Sequence, residues 1–90
     1  MADEGPVRRR VKIAHENGLH LRPIGAIVKE AAQFSADVRI SFNGIVVSAD
    51  SALEMMTLKA TKGAELTVEA SGQDAKAALE AVTGVIENVP

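Results

Sequence analysis

The run Val38-Arg39-Ile40-Ser41-Phe42-Asn43-Gly44-Ile45-Val46-Val47-Ser48 restricts the possible folds more than any other stretch. Val38, Ile40 and Phe42 alternate with Arg39 and Ser41, the two-residue period of a strand with one dry and one wet face. Asn43-Gly44 then supplies the dipeptide that best accepts the positive φ angles of a two-residue hairpin turn. "IVVS" is the returning strand. A sheet with one dry face needs a layer of helices to cover it, so the remaining segments must supply that layer.

They do so in a definite order. Val7, Val11 and Ile13 share one side of a two-residue period, with Arg8, Arg10 and Lys12 opposite and Arg9 interrupting the apolar side, which predicts a strand over residues 7–14. The loop "HENGLH" follows. Pro23 opens a helix, because its missing N–H is no loss in a first turn, and Ile24, Ile27, Val28 and Ala31 continue at helical spacing. Residues 35–37 end that helix. "SALE", Ser51 to Glu54, has the pattern of a capping box, with the serine accepting from the first turn and the glutamate reaching back. It starts a short helix over residues 51–58. Leu66, Val68 and Ala70 alternate with Glu65, Thr67 and Glu69 in a last strand. "SGQD" opens a final helix over residues 73–87, with a stripe of Ala75, Ala78, Leu79, Val82 and Ile86 and a weak point at Gly84. The order is β-α-β-β-α-β-α, a two-layer α+β domain with a four-stranded antiparallel or mixed sheet. Residues 1–6 are expected to be a flexible N-terminal extension and residues 7–90 a single domain.

Composition narrows the function by exclusion. The chain has 90 residues, a net charge of −2 and no cysteine. Disulfides, thiolate metal sites and cysteine nucleophiles are therefore absent. The two phenylalanines and one basic run, Arg8 to Arg10, do not make the stacking platform and basic groove of a nucleic-acid site. That run reads instead as a strand edge or solvated face. "MADEGPV" lacks the layout of a signal peptide. No apolar run reaches the roughly 18–20 residues that span a bilayer. The expectation is a cytoplasmic, monomeric protein with no membrane insertion, metal or cofactor. No HExxH or GxxxxGK[ST] motif supports a self-contained enzyme.

"NGLHLRP", Asn17 to Pro23, carries the chemistry. His20, Arg22 and Pro23 meet at the start of the first helix. The first four N–H groups of a helix lack internal partners, and the macrodipole is positive there, so this end accommodates an anion. An imidazole placed there has, in its neutral form, a lone pair with which to act as a nucleophile. A phosphoryl group taken up by His20 would meet the helix N–H groups and the Arg22 guanidinium. His15, five residues earlier, reads as a surface residue.

The stretch "NGLHLRPIGAIVKEAAQF" resembles the signature of the histidine-containing phosphocarriers of bacterial phosphotransferase systems, the HPr family, roughly G-[LIM]-H-x-R-P followed by small and apolar residues. The resemblance continues through "ADSALEMMTLKATKG" and "EASGQDAKAALEAV". It implies an open-faced sandwich, a four-stranded antiparallel sheet covered on one face by three helices. It implies that His20 is phosphorylated on Nδ1 by phospho-enzyme I, itself charged by phosphoenolpyruvate. The phosphate then passes to IIA domains or proteins for sugar uptake. Arg22 corresponds to the arginine beside the phosphohistidine, and Asn17 and Gly18 to the preceding loop. Leu21, Gly25, Ala52, Leu53 and Met56 fall on the partner-docking surface. Ser51 aligns with a serine that an ATP-dependent kinase, opposed by a phosphorylase, modifies in some members.

This segment also departs from the family. Asp50 stands where many members have lysine, and Glu54 replaces a small residue. Both acids would repel a phosphate on Ser51, which as a helix cap has a complete structural explanation. Leu53 and Met56, three apart, fit either packing on the sheet or an exposed docking patch. Two further functions stay open: a regulatory, nitrogen-related or serine-switched phosphotransfer protein that feeds no sugar transport, and an α+β interaction domain without phosphotransfer.

Overall fold

The computed structural model describes residues 5–88. Most of the expected extension, residues 1–4, and the last two residues lie outside the described residues. Four strands, β1 (Val7–Lys12), β2 (Asp37–Phe42), β3 (Ile45–Ser48) and β4 (Glu65–Ser71), alternate with three helices, α1 (Leu21–Ala31), α2 (Ala52–Met56) and α3 (Ala75–Glu87), in the expected order. The sheet order is β1-β4-β2-β3 and every pair is antiparallel. The fold is the open-faced α+β sandwich.

Register explains the two faces. Val11 opposes Leu66; Val68 opposes Ile40, which opposes Val47; and Ala70 opposes Val38. These residues are buried and form the core with Ile24 and Ile27 of α1, Met55 of α2, and Ala78, Leu79, Val82 and Ile86 of α3. Arg8, Arg10, Arg39, Glu65 and Glu69 sit on the uncovered face, where Arg8–Glu69 and Arg10–Glu65 pair at 3.5 and 3.9 Å. Such exposed pairs contribute little to stability. Their main effect is to keep edge strand β1 charged and discourage pairing with other chains.

Arg9 lies on the covered side of the sheet. Its Nη1 donates to Thr83 Oγ1 at 3.0 Å, and Thr83 in turn donates to Leu79 O within α3. The interruption of the apolar side is therefore a polar strap from the edge strand to the helix.

The end of α1 and the start of α3 depart from expectation for one reason. The helix α1 ends at Ala31 and not at 35–37, because the Ser35 N–H leaves the helix to donate to Asp74 Oδ2 at 2.8 Å while Asp74 N donates to Ser35 O. With its carboxylate drawn to Ser35, Asp74 makes no side-chain cap on α3, whose first helical residue is Ala75. The described residues contain no helix long and apolar enough to cross a membrane.

Candidate functional site

The loop between β1 and α1 is built by backbone hydrogen bonds. Ladder pairing runs past the strand end: Ile13 N donates to Ala64 O, and Gly63 N to Ile13 O. A turn from His15 to Gly18 follows, closed by Gly18 N donating to His15 O at 3.0 Å. Gly18 has φ +72°, and a Cβ there would lie 2.5 Å from Ala60 O and 2.8 Å from Thr61 Cα. Only glycine permits that approach. Leu19, buried, then donates to Ala60 O at 2.9 Å. Asn17 is exposed at the turn.

These contacts deliver His20 to the start of α1. His20 is itself the N-cap, with extended backbone and no side-chain cap bond. The helix therefore begins two residues before the expected Pro23, which becomes its third residue. Proline is tolerated there because the first intrahelical bond belongs to Ile24 N, which donates to His20 O at 3.0 Å. The number of free N–H groups changes accordingly. Pro23 has none, and the His20 N–H donates to Gly18 O at 3.1 Å. Among the described residues, the backbone N–H groups of Leu21 and Arg22 have no partner, and they lie at the positive end of the helix.

The His20 imidazole is half-buried and makes no hydrogen bond among the described residues. Arg22 is exposed and has no ion pair among the described residues. It lines a groove of about 470 Å³ between α1 and α3, together with Pro23, Ala26, Glu30, Glu80, Val85 and His15. An uncommitted guanidinium, two free backbone N–H groups and an uncommitted imidazole thus occupy three successive residues. That set can bind and stabilise a dianionic oxygen cluster next to a nitrogen nucleophile.

The helices α1 and α2, which are in contact, both expose apolar side chains. Leu21, Leu53 and Met56 are 67%, 79% and 49% exposed. Gly25 is exposed and Ala52 half-buried. The core residue of α2 is Met55, fully buried, so Leu53 and Met56 do not pack on the sheet.

Ser51 caps α2 as its motif predicts, with Oγ accepting from Glu54 N at 3.2 Å. The glutamate half of the capping box differs. Glu54 Oε1 accepts from Ser48 N at 3.0 Å and not from Ser51 N, because Ser51 N already donates to Ser48 O in the turn that leaves β3. Asp50, on the same turn, accepts from Ser48 Oγ.

One reading of the sequence is overturned. His15 is not a surface residue: it is only 5% exposed, and its Nε2 lies 2.7 Å from Val85 O. A signal was available. His15 continues the two-residue period of Val11 and Ile13 towards the covered face, and its imidazole meets the carbonyl end of α3, a partner that no local pattern reveals.

The geometry has close counterparts. Residues 7–88 match the family described as "PTS HPr component phosphorylation site". The chain is 40% identical over 81 residues to phosphocarrier protein HPr of Vibrio cholerae, covering 90% of this chain and 95% of that one. It is likewise 40% identical over 76 residues to phosphocarrier protein HPr of Haemophilus influenzae, covering 84% and 89%. The crystal structure of phosphocarrier protein HPr from Bacillus anthracis superposes with a TM-score of 0.87 at 36% identity, covering 91% of this chain and 98% of that one. With its fold and these relatives in agreement, the chain belongs to the HPr family of phosphotransferase-system phosphocarriers.

Proposed function

We propose that His20 is the phosphoryl carrier, taking its group from phospho-enzyme I and passing it to IIA-type acceptors that feed sugar uptake. The observation that carries this reading is that, among the described residues, the imidazole at the N-cap of α1, the N–H groups of Leu21 and Arg22 and the Arg22 guanidinium all lack partners. In the forward step the Nδ1 lone pair forms a bond to phosphorus as the donor's bond to phosphorus breaks, its electron pair leaving with the donor. The phosphoryl oxygens then face the helix end, where an anion gains about 0.3–1 kcal/mol from the macrodipole. Modest stabilisation suits a carrier, since the group must leave again.

Leu21, Gly25, Ala52, Leu53 and Met56 form the surface on which enzyme I and the IIA acceptor dock in turn. The exposure of Leu21, Gly25, Leu53 and Met56 supports this assignment. Both exchanges then use one apolar patch and one nucleophile.

Incubation with phosphoenolpyruvate and enzyme I should add one acid-labile phosphate to the native chain and none to His20→Ala. Equal labelling of that variant would move the site elsewhere. Arg22→Ala should slow transfer while leaving the unfolding midpoint nearly unchanged.

Ser51 is assigned the capping role. Its hydroxyl accepts from Glu54 N, and a phosphate there would add charge to a turn that already carries the acidic Asp50 and Glu54. An HPr serine kinase supplied with ATP should transfer negligible phosphate to this chain. Stoichiometric labelling at Ser51 would restore the serine-switched reading.

A further inference from the structure

His15 is a buried titratable side chain that phosphoryl transfer at His20 does not use directly, and its contacts form a connected path. The last carbonyls of a helix lack intrahelical donors. At the end of α3, Gly84 O accepts from Asn88 N, Ile86 O from Ala14 N, and Val85 O from the imidazole of His15. Two of these three caps come from the segment that leads into the site loop. From His15 the path continues: its own carbonyl accepts from Gly18 N at 3.0 Å, and Gly18 O accepts from His20 N at 3.1 Å. Three successive hydrogen bonds thus run from the last turn of α3 to the backbone of His20. His15 also lines the groove that Arg22 and Pro23 line.

We infer that His15 is a positioning residue for phosphoryl transfer, holding the His20 nucleophile and the free N–H groups of Leu21 and Arg22 in register by capping α3 through Nε2. The inference rests on the phosphocarrier reading for its kinetic consequence alone. A carbonyl only accepts, so Nε2 carries the proton in this contact. In this role His15 acts through the turn and not by contact with the phosphoryl group or a partner. The docking surface on α1 and α2 does not include it, so its loss should alter the reacting geometry more than partner affinity.

The test compares His15→Ala with His15→Gln, whose amide nitrogen can donate to Val85 O in place of Nε2. At saturating phospho-enzyme I, kcat for phosphoryl acceptance should fall about tenfold in His15→Ala, since a misplacement approaching 1 Å costs up to about a hundredfold. KM should stay within about twofold, and His15→Gln should recover most of the rate. Amide exchange should quicken selectively at Gly18 and His20, while Ile40 and Val68 in the core follow the global stability. Unchanged kcat, a loss confined to KM, no rescue by glutamine, or exchange that rises uniformly would each overturn the positioning role. Nitrogen NMR of the native chain gives a further check if the alanine variant does not fold: a proton on Nδ1 and none on Nε2 of His15 would refute the contact. If the native chain accepts no phosphate at all, the carrier reading fails, while exchange and tautomer still decide what His15 does.

Discussion

Gly18→Ala is the most informative single change in the scaffold. Two costs add. At φ +72° any L-residue other than glycine loses roughly 1–2 kcal/mol. The new Cβ would also stand 2.5 Å from Ala60 O and 2.8 Å from Thr61 Cα. Both are backbone atoms, so no flexible side chain can swing away. The 60–61 segment must separate from the site loop, which sacrifices the Leu19 N to Ala60 O bond, 2.9 Å long. Leaving a buried backbone group unpaired costs about 1–3 kcal/mol, for a total of about 2–5 kcal/mol. Gly63→Ala is the control. Gly63 has φ +87° and nothing within 4 Å of a built Cβ, so only the roughly 1–2 kcal/mol conformational term applies. Urea unfolding of the two variants should therefore place Gly18→Ala about 1–3 kcal/mol below Gly63→Ala at similar m-values. In a heat scan that gap is about 4–8 °C per kcal/mol. Equal stabilities, to within about 0.5 kcal/mol, would refute the claim that close backbone approach anchors the loop carrying His20.

Other outcomes follow from the same contacts. Met55→Ala, at a fully buried site, should cost about 2–5 kcal/mol in chemical denaturation, whereas Leu53→Ala, 79% exposed, should stay within about 0.5 kcal/mol yet raise the KM for phospho-enzyme I. Ser51→Ala removes the cap on Glu54 N and should cost about 0.5–2 kcal/mol, measured by urea titration. Gly84→Ala should stabilise by about 0.5–1 kcal/mol, because its added Cβ meets only Asn88 Nδ2 at 3.8 Å; a loss would show that the α1–α3 groove needs the glycine.

The local patterns were legible where the physics is local. Alternation at Val38, Ile40 and Phe42, the Asn-Gly turn, and the apolar stripes of α1 and α3 need only neighbouring residues to be recognised. So does the placement of His20 at a helix start, because a glycine and a proline bracket it within five positions. The Ser51 cap is equally local, its donor lying three residues away.

Tertiary structure decided what depends on distant partners. His15 became a buried cap because α3, 70 residues further along, presents Val85 O to it. Arg9 found Thr83 across 74 residues. Leu53 and Met56 went to the surface because the five-residue helix α2 offers one fully buried position, and Met55 takes it. The number of free N–H groups at His20 depended on Gly18 O, placed by a loop that closes against Ala60. Periodicity specifies which side of an element is dry; only packing specifies what each polar atom meets there, because hydrogen-bond partners are chosen in space and not along the chain.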